Sequence, residues 1–189
     1  MVVQGYNKEE GIDYDEIFAL VYRMEAIRVL IAFAAFIRFK LYQMDVKSSF
    51  LNGDLKEEVF VKRPPGFEDA ELLDHVFKLN KALYRLKQAP KALYEILSKF
   101  LSKNGFKIGK IDNTLFLFKA KQDLLIIQAY VDDIIFRATS EHLCEEFSSL
   151  MGKKFEMSMM DEFTFFLGLQ INKHQKESQS VRRSTLRSC

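Results

Sequence analysis

A chain of 189 residues, 48% hydrophobic, 13% aromatic and 29% charged, has the composition of a globular protein with one core or two closely packed subdomains, and this excludes a disordered or fibrous chain. The formal charge of +2 is too small to predict a nucleic-acid partner by itself. The longest apolar stretch, Val29 to Ile37, falls short of the about 20 residues that cross a bilayer. The start has no basic-then-apolar leader, and Cys144 and Cys189 are too few for a zinc site or disulfide framework. No membrane association or targeting signal is expected, and Cys144 reads as a buried thiol on a helix.

In chain order, residues 1–18 are polar and carry a turn signal at Gly11-Ile12-Asp13. From Arg23 to Phe39, apolar residues recur at helical spacing (Met24, Ile27, Leu30, Ile31, Ala34), which predicts a mostly buried helix. Lys40–Phe50 reads as a strand with Asp45 near its middle, ending at the turn pair Asn52-Gly53. Glu57–Lys62 is a second short strand, closed by Pro64-Pro65-Gly66. Val76–Leu86 is an amphipathic segment carrying Lys78, Lys81 and Arg85, with Lys87 just beyond; no acid occurs between His75 and Tyr94, and the plain reading of such a run is a solvated helical face. Pro90 opens the next helix, with Leu93, Ile96, Leu97, Phe100 and Leu101 as its apolar stripe and Asn104-Gly105 as its stop.

Thr114–Phe118, Leu124–Val131 and Ile134–Ala138 form a three-stranded meander with Asp132 and Asp133 at a bend. Ser140 caps a helix to Met151 with Gly152 as terminator, and Phe155–Met159 with Phe163–Ile171 make a hairpin turning at Asp161. Residues 173–189 are basic and serine-rich and are expected to be a disordered tail. The element order implies an α+β fold, an antiparallel sheet with helices packed on one face.

The adjacent acids Asp132 and Asp133 admit two readings. Asp-Asp is ordinary turn chemistry. Alternatively, Asp132 and Asp133 meet the strand-borne Asp45, and carboxylates so crowded raise one another's pKa unless a cation neutralises them. Oxygen-only ligation favours Mg2+, and a pair of such ions suits in-line displacement at phosphorus.

The segments Leu41-Tyr42-Gln43-Met44-Asp45-Val46 through Asn52-Gly53, Pro64-Pro65-Gly66-Phe67, Lys81 to Pro90, Tyr130-Val131-Asp132-Asp133 and Phe166-Leu167-Gly168-Leu169-Gln170, in this order, closely resemble the reverse transcriptase of copia-type LTR retrotransposons. The resemblance implies a right-hand polymerase over residues 1–172, with 1–40 and 53–88 mainly fingers and 41–52 and 89–172 mainly palm. It implies an RNA-directed DNA polymerase that transfers nucleotides from dNTPs to a primer 3′-OH on an RNA template, with a DNA or RNA primer and two Mg2+ ions, or Mn2+ in their place. Asp45, Asp132 and Asp133 match its catalytic, metal-binding acids, Asp132 being the stronger shared ligand. Phe50, Val46 and Gln88 match nucleotide-contacting positions, and Leu167-Gly168 the primer grip. Lys78, Lys81, Arg85 and Lys87 become contacts to the nucleic-acid backbone. A cytoplasmic setting follows from the life cycle of such elements, within virus-like particles or extending to the nucleus.

Against the family pattern the chain is expected to be truncated, without the preceding Lys-x-Arg fingers segment and the following thumb and RNase H domain, and it carries Arg85 and Arg137 where the family has Gly. Arg137 is expected to disturb the backbone near the paired acids or to compete with Mg2+ for them. The expectation is therefore a polymerase core of weak or lost activity; the alternatives are an inert remnant and a simple single-stranded nucleic-acid-binding module.

Overall fold

The computed structural model describes residues 24–36, 40–63, 66–67, 75–163, 165–166 and 169–170. The expected turn at residues 11–13 and the tail at 173–189 lie outside them, as do Leu167 and Gly168. Helix α1 spans Met24–Phe36, the strands β1 and β2 are Tyr42–Asp45 and Asp54–Val61 with a 3-10 turn at Ser49–Asn52 between them, and β3 is Phe77–Lys81. Then come α2 (Ala89–Lys103), β4 (Lys107–Ile108), β5 (Leu115–Ala120), β6 (Asp123–Tyr130), β7 (Asp133–Ala138) and α3 (Glu141–Gly152). Short strands β8 (Asp161–Glu162), β9 (Phe165–Phe166) and β10 (Leu169–Gln170) close the described chain. No helix among the described residues is long and apolar enough to cross a membrane.

Six strands make the main sheet, in the order β4-β5-β6-β7-β1-β8, every neighbour antiparallel. The expected meander is its centre, extended at one edge by β4. Strand β1 joins it through a long-range pairing with β7, Tyr42 opposite Phe136 and Asp45 opposite Asp133. Along β1 burial alternates, Tyr42 and Met44 inward, Gln43 and Asp45 toward the other face.

The inward face packs on α2 and α3 around Met44, Ile127, Ile134, Phe136, Leu97, Leu101 and Phe147. Phe136 meets Phe147 edge to face at 4.9 Å. Pro90 lies in the first turn of α2, and Gly105 follows its end at φ +87°, the left-handed angle that a helix stop uses. The other face carries α1, whose Ile27 and Ala34 cluster with Leu41, Ile135 and Phe163. Helices thus cover both faces, and the expectation of a single covered face is corrected: Ile135 and Ile134 point to opposite sides, and each side finds a helical partner.

Further expectations give way to tertiary geometry. The strand expected from Lys40 to Phe50 stops at Asp45, because Ser48 turns into the left-handed region (φ +49°) and the chain winds into the 3-10 turn. Gly53 is extended and makes no turn of its own; a Cβ there would stand 2.9 Å from the Ala92 Cβ, so close approach to α2 is what requires glycine. The basic run, read as a helical face, is instead strand β3 paired with β2, followed by turns; Val59, Ala82, Leu83 and Leu86 give that hairpin its own small core. Asp161 does not turn a hairpin; β8 pairs with β1, Asp161 opposite Gln43. Finally, Gly152 is the last residue of α3, capped by Lys153, and Ser140 precedes the helix without a side-chain capping bond.

Candidate functional site

The hairpin β6–β7 turns on Val131 and Asp132, with Tyr130 paired to Asp133. Val131 sits at φ +52°, an angle that two-residue hairpin turns demand and that a β-branched side chain rarely takes. Such a residue costs on the order of 1–3 kcal/mol and persists only where the surroundings enforce it. The turn is therefore strained at Val131.

Antiparallel register sets Asp45 directly across from Asp133, and the Val46 N–H donates to the Asp132 carbonyl at 2.9 Å. Three acids thus meet at one end of two adjacent strands. Like charges placed opposite each other destabilise a sheet. Partial burial, then Asp132 and Asp45, push the Asp133 carboxyl up to about 6. Asp45 is raised for the same reasons, burial first and then Asp132.

The donors are all oxygens, the chemistry of a hard divalent cation. The residues fit such an ion by donor type and strand placement. Their carboxylates are not drawn into a ligand cage, and among the described residues no three His, Cys, Asp or Glu side chains are grouped to hold a metal.

Two contacts hold β1 in place. The Tyr42 hydroxyl donates to Glu141 Oε1 at 2.6 Å, which fastens the strand to the start of α3 and, as the leading cause, pushes the Tyr42 hydroxyl up to about 12. The Asp45 N–H donates to Ser158 Oγ at 2.7 Å. No sequence signal singles out Ser158, because its partner lies far away in the chain.

The remaining expected site residues are spread around this centre. Val46 is 1% exposed, with its side chain in the main core and its N–H given to the Asp132 carbonyl. Phe50 lies in the 3-10 turn, packed on the β2–β3 core and edge to face with Tyr84 at 4.8 Å. Gln88 is buried beside the start of α2; its Nε2 donates weakly to Glu57 at 3.4 Å, while its Oε1 is enclosed without a hydrogen-bond partner.

The basic residues divide. Lys78 pairs with Glu58, and Lys81 with Asp54 at 2.5 Å, so β2 supplies the acids that the run itself lacks. Arg85 and Lys87 are exposed. Arg85 stands at φ +71°, which explains why glycine suits that position. Arg137 lies in regular strand opposite Ile126 and lines an apolar cavity of about 260 Å3 beneath α1, with Leu30, Phe33 and Leu41. Its charge acts on Tyr42, Glu141 and Cys144 and does not figure among the charges acting on Asp45 or Asp133. Arg137 thus stands on the α1 side of the sheet.

Residues 1–184 match the family described as reverse transcriptase (RNA-dependent DNA polymerase). The chain is 34% identical over 187 residues to the retrovirus-related Pol polyprotein from transposon RE2 of Arabidopsis thaliana, covering 98% of this chain and 13% of that protein. It is 34% identical over 172 residues to the corresponding polyprotein from transposon TNT 1-94 of Nicotiana tabacum, covering 90% and 13%. It is 32% identical over 138 residues to the putative transposon Ty5-1 protein of Saccharomyces cerevisiae, covering 73% and 44%. The chain thus spans a small part of the length of the curated relatives it matches.

Proposed function

The chain belongs to the reverse transcriptase family found in copia-type Pol polyproteins, and on that premise we propose that it is the core of an RNA-directed DNA polymerase with Asp45, Asp132 and Asp133 as its catalytic acids. The observation that carries the proposal is the pairing of Asp45 with Asp133 beside Asp132 at the end of two strands. A fold keeps such a repulsive arrangement when the charges serve a function.

Two Mg2+ ions held by these acids would activate the primer 3′-OH and neutralise the leaving pyrophosphate. The chain's own contribution is positional. The strained turn at Val131 fixes Asp132, the β1–β7 register fixes Asp133 against Asp45, and the core under Met44 and Ile134 keeps the strands from sliding. Phe50 and Gln88, on the β2–β3 side, are proposed to border the incoming dNTP, and Gln88 Oε1 is the buried acceptor that a ligand or water would complete.

Residues 41–52 and 89–172 form the palm in this reading, and 1–40 with 53–88 the fingers; Leu167-Gly168 is the primer grip. RNA template and primer would run along the exposed Arg85 and Lys87. Lys78 and Lys81 can exchange Glu58 and Asp54 for phosphates, because exposed ion pairs are screened by solvent and weak. The cytoplasm, within particles of the element, is the proposed setting.

Primer extension on an RNA template with Mg2+, compared between the wild-type chain and Asp132→Asn, tests the proposal. Incorporation by the wild type alone is expected; equal incorporation by both refutes metal-dependent catalysis at these acids. A second reading, a single-stranded nucleic-acid-binding module, is favoured by the half-exposed Phe60 and Phe77 on the β2–β3 hairpin, since exposed rings are platforms for bases. RNA binding without Mg2+ that survives Asp45→Asn, together with no incorporation, would select it.

A further inference from the structure

β8 pairs with β1 only at Tyr42 and Gln43, so the ladder ends before it reaches Asp45. The segment Glu156 to Ser158 runs there instead. The Ser158 N–H donates to the Asp45 carbonyl at 2.8 Å, and the Lys47 N–H donates to the Glu156 carbonyl at 2.8 Å. Val46 bridges Met157 between them. In a regular antiparallel ladder the Asp45 N–H would meet a backbone carbonyl; here the Ser158 hydroxyl oxygen takes that place at 2.7 Å. The same hydroxyl donates to the Met159 carbonyl at 3.4 Å, which leaves its lone pairs free to accept from Asp45. One residue therefore holds both backbone polar groups of Asp45 on the side away from Asp133.

We propose that Ser158 is a positioning residue for Asp45, locking the end of β1 so that the Asp45 carboxylate stays opposite Asp133 and available to a divalent cation. The inference rests on the polymerase-site reading above. Its physical basis is that a strand's last residue frays unless both flanks are tied, and β8 stops pairing two residues short of Asp45. Without the hydroxyl, the Asp45 N–H loses its acceptor and the carboxylate its fixed direction. Groups that orient a metal's ligands typically change metal affinity by about 10–100-fold when removed.

The test is Mn2+ binding to the full chain, followed by the paramagnetic resonance signal of the free ion, with the urea midpoint measured for each variant. Ser158→Ala is expected to weaken Mn2+ binding about tenfold with little change in the urea midpoint. Ser158→Cys, of similar shape but a poor acceptor, should fall with it, and Ser158→Thr should restore wild-type affinity. Unchanged affinity in Ser158→Ala while Asp132→Asn loses binding overturns this inference and leaves the site reading standing. A loss that Ser158→Thr fails to restore overturns it too, since packing and not the hydroxyl would then be responsible. A wild-type chain that binds no Mn2+, or binds it undiminished in Asp132→Asn, removes the site reading and the role of Ser158 with it.

Discussion

Replacing Asp133 by Asn removes one charge from the three-acid cluster while keeping the shape of the side chain. The carboxyl rises from its ordinary 3.8 to about 6 in the fold, through burial and then through Asp132 and Asp45. A shift of that size corresponds to about 3 kcal/mol between its two protonation states. Solvent reaches this half-buried group, and screening brings the effect on stability to about 1–2 kcal/mol. The sign follows from protonation: at low pH the carboxyl is neutral in both the folded and the unfolded chain, so Asp133 carries no penalty. As pH rises through about 6, the folded chain must ionise Asp133 beside two other carboxylates, and the wild type loses stability.

Asp133→Asn should therefore be more stable than wild type by about 1–2 kcal/mol at pH 7.5 and nearly equal to it at pH 4. Urea unfolding at the two pH values measures this directly, with a midpoint shift of roughly 0.5–1 M at the higher pH for a slope near 2 kcal/mol per M. Taking the difference between the two proteins cancels the contributions of Asp54 and Glu141, whose carboxyls lie below their ordinary values through Lys81 and Tyr42 respectively. A stability difference that is the same at both pH values, or a variant less stable at pH 7.5, would refute the crowding of charge at this site. Added Mg2+ should narrow the gap by stabilising the wild type, because a ligand bound by the folded state alone favours it.

Arg85→Gly should stabilise the fold by about 1 kcal/mol, since glycine takes the φ +71° backbone without steric cost; a lower urea midpoint would contradict this. Gly53→Ala should lose about 1–3 kcal/mol, because the new Cβ would press on Ala92 at 2.9 Å, and an unchanged thermal midpoint would show that the 3-10 turn moves away freely. Thr114→Val should cost about 1–3 kcal/mol: Thr114 Oγ1 accepts from Gln128 Nε2 at 2.5 Å and donates to Asp112 at 2.6 Å, joining β6 to the loop before β5. Hydrogen exchange at the Thr114 amide, which donates to Asp112 at 2.8 Å, should accelerate in that variant; full protection would mean that the loop is held by other contacts.

The parts of the fold legible in the sequence are those whose cause is local. Pro90 and Gly105 bound α2 because one fixes φ and the other accepts a positive one. The apolar, β-branched and aromatic runs of β5, β6 and β7 between turn residues report strands, and Cys144 is buried on α3 as its apolar neighbours require. The basic run misled because a strand and a helix can both carry lysines at the spacing of Lys78 and Lys81, and the acids that decide the matter, Glu58 and Asp54, stand on another strand. The early end of β1 was hidden for a similar reason. Nothing in Val46-Lys47-Ser48 forbids extension, and the left-handed Ser48 follows from the way the 3-10 turn packs beneath α2 and the β2–β3 hairpin.

By itself, the sequence determined which residues carry negative charge beside apolar strands, and its ordered motifs carried the family resemblance. Only the tertiary structure decided that Asp45 faces Asp133, that α1 covers the face opposite α2 and α3, and that Ser158 holds the end of β1. The physical reason is range. Turn and helix-stop preferences act over a few residues, whereas the β1–β7 register and the Asp45–Ser158 bonds join segments that only the packed core brings together.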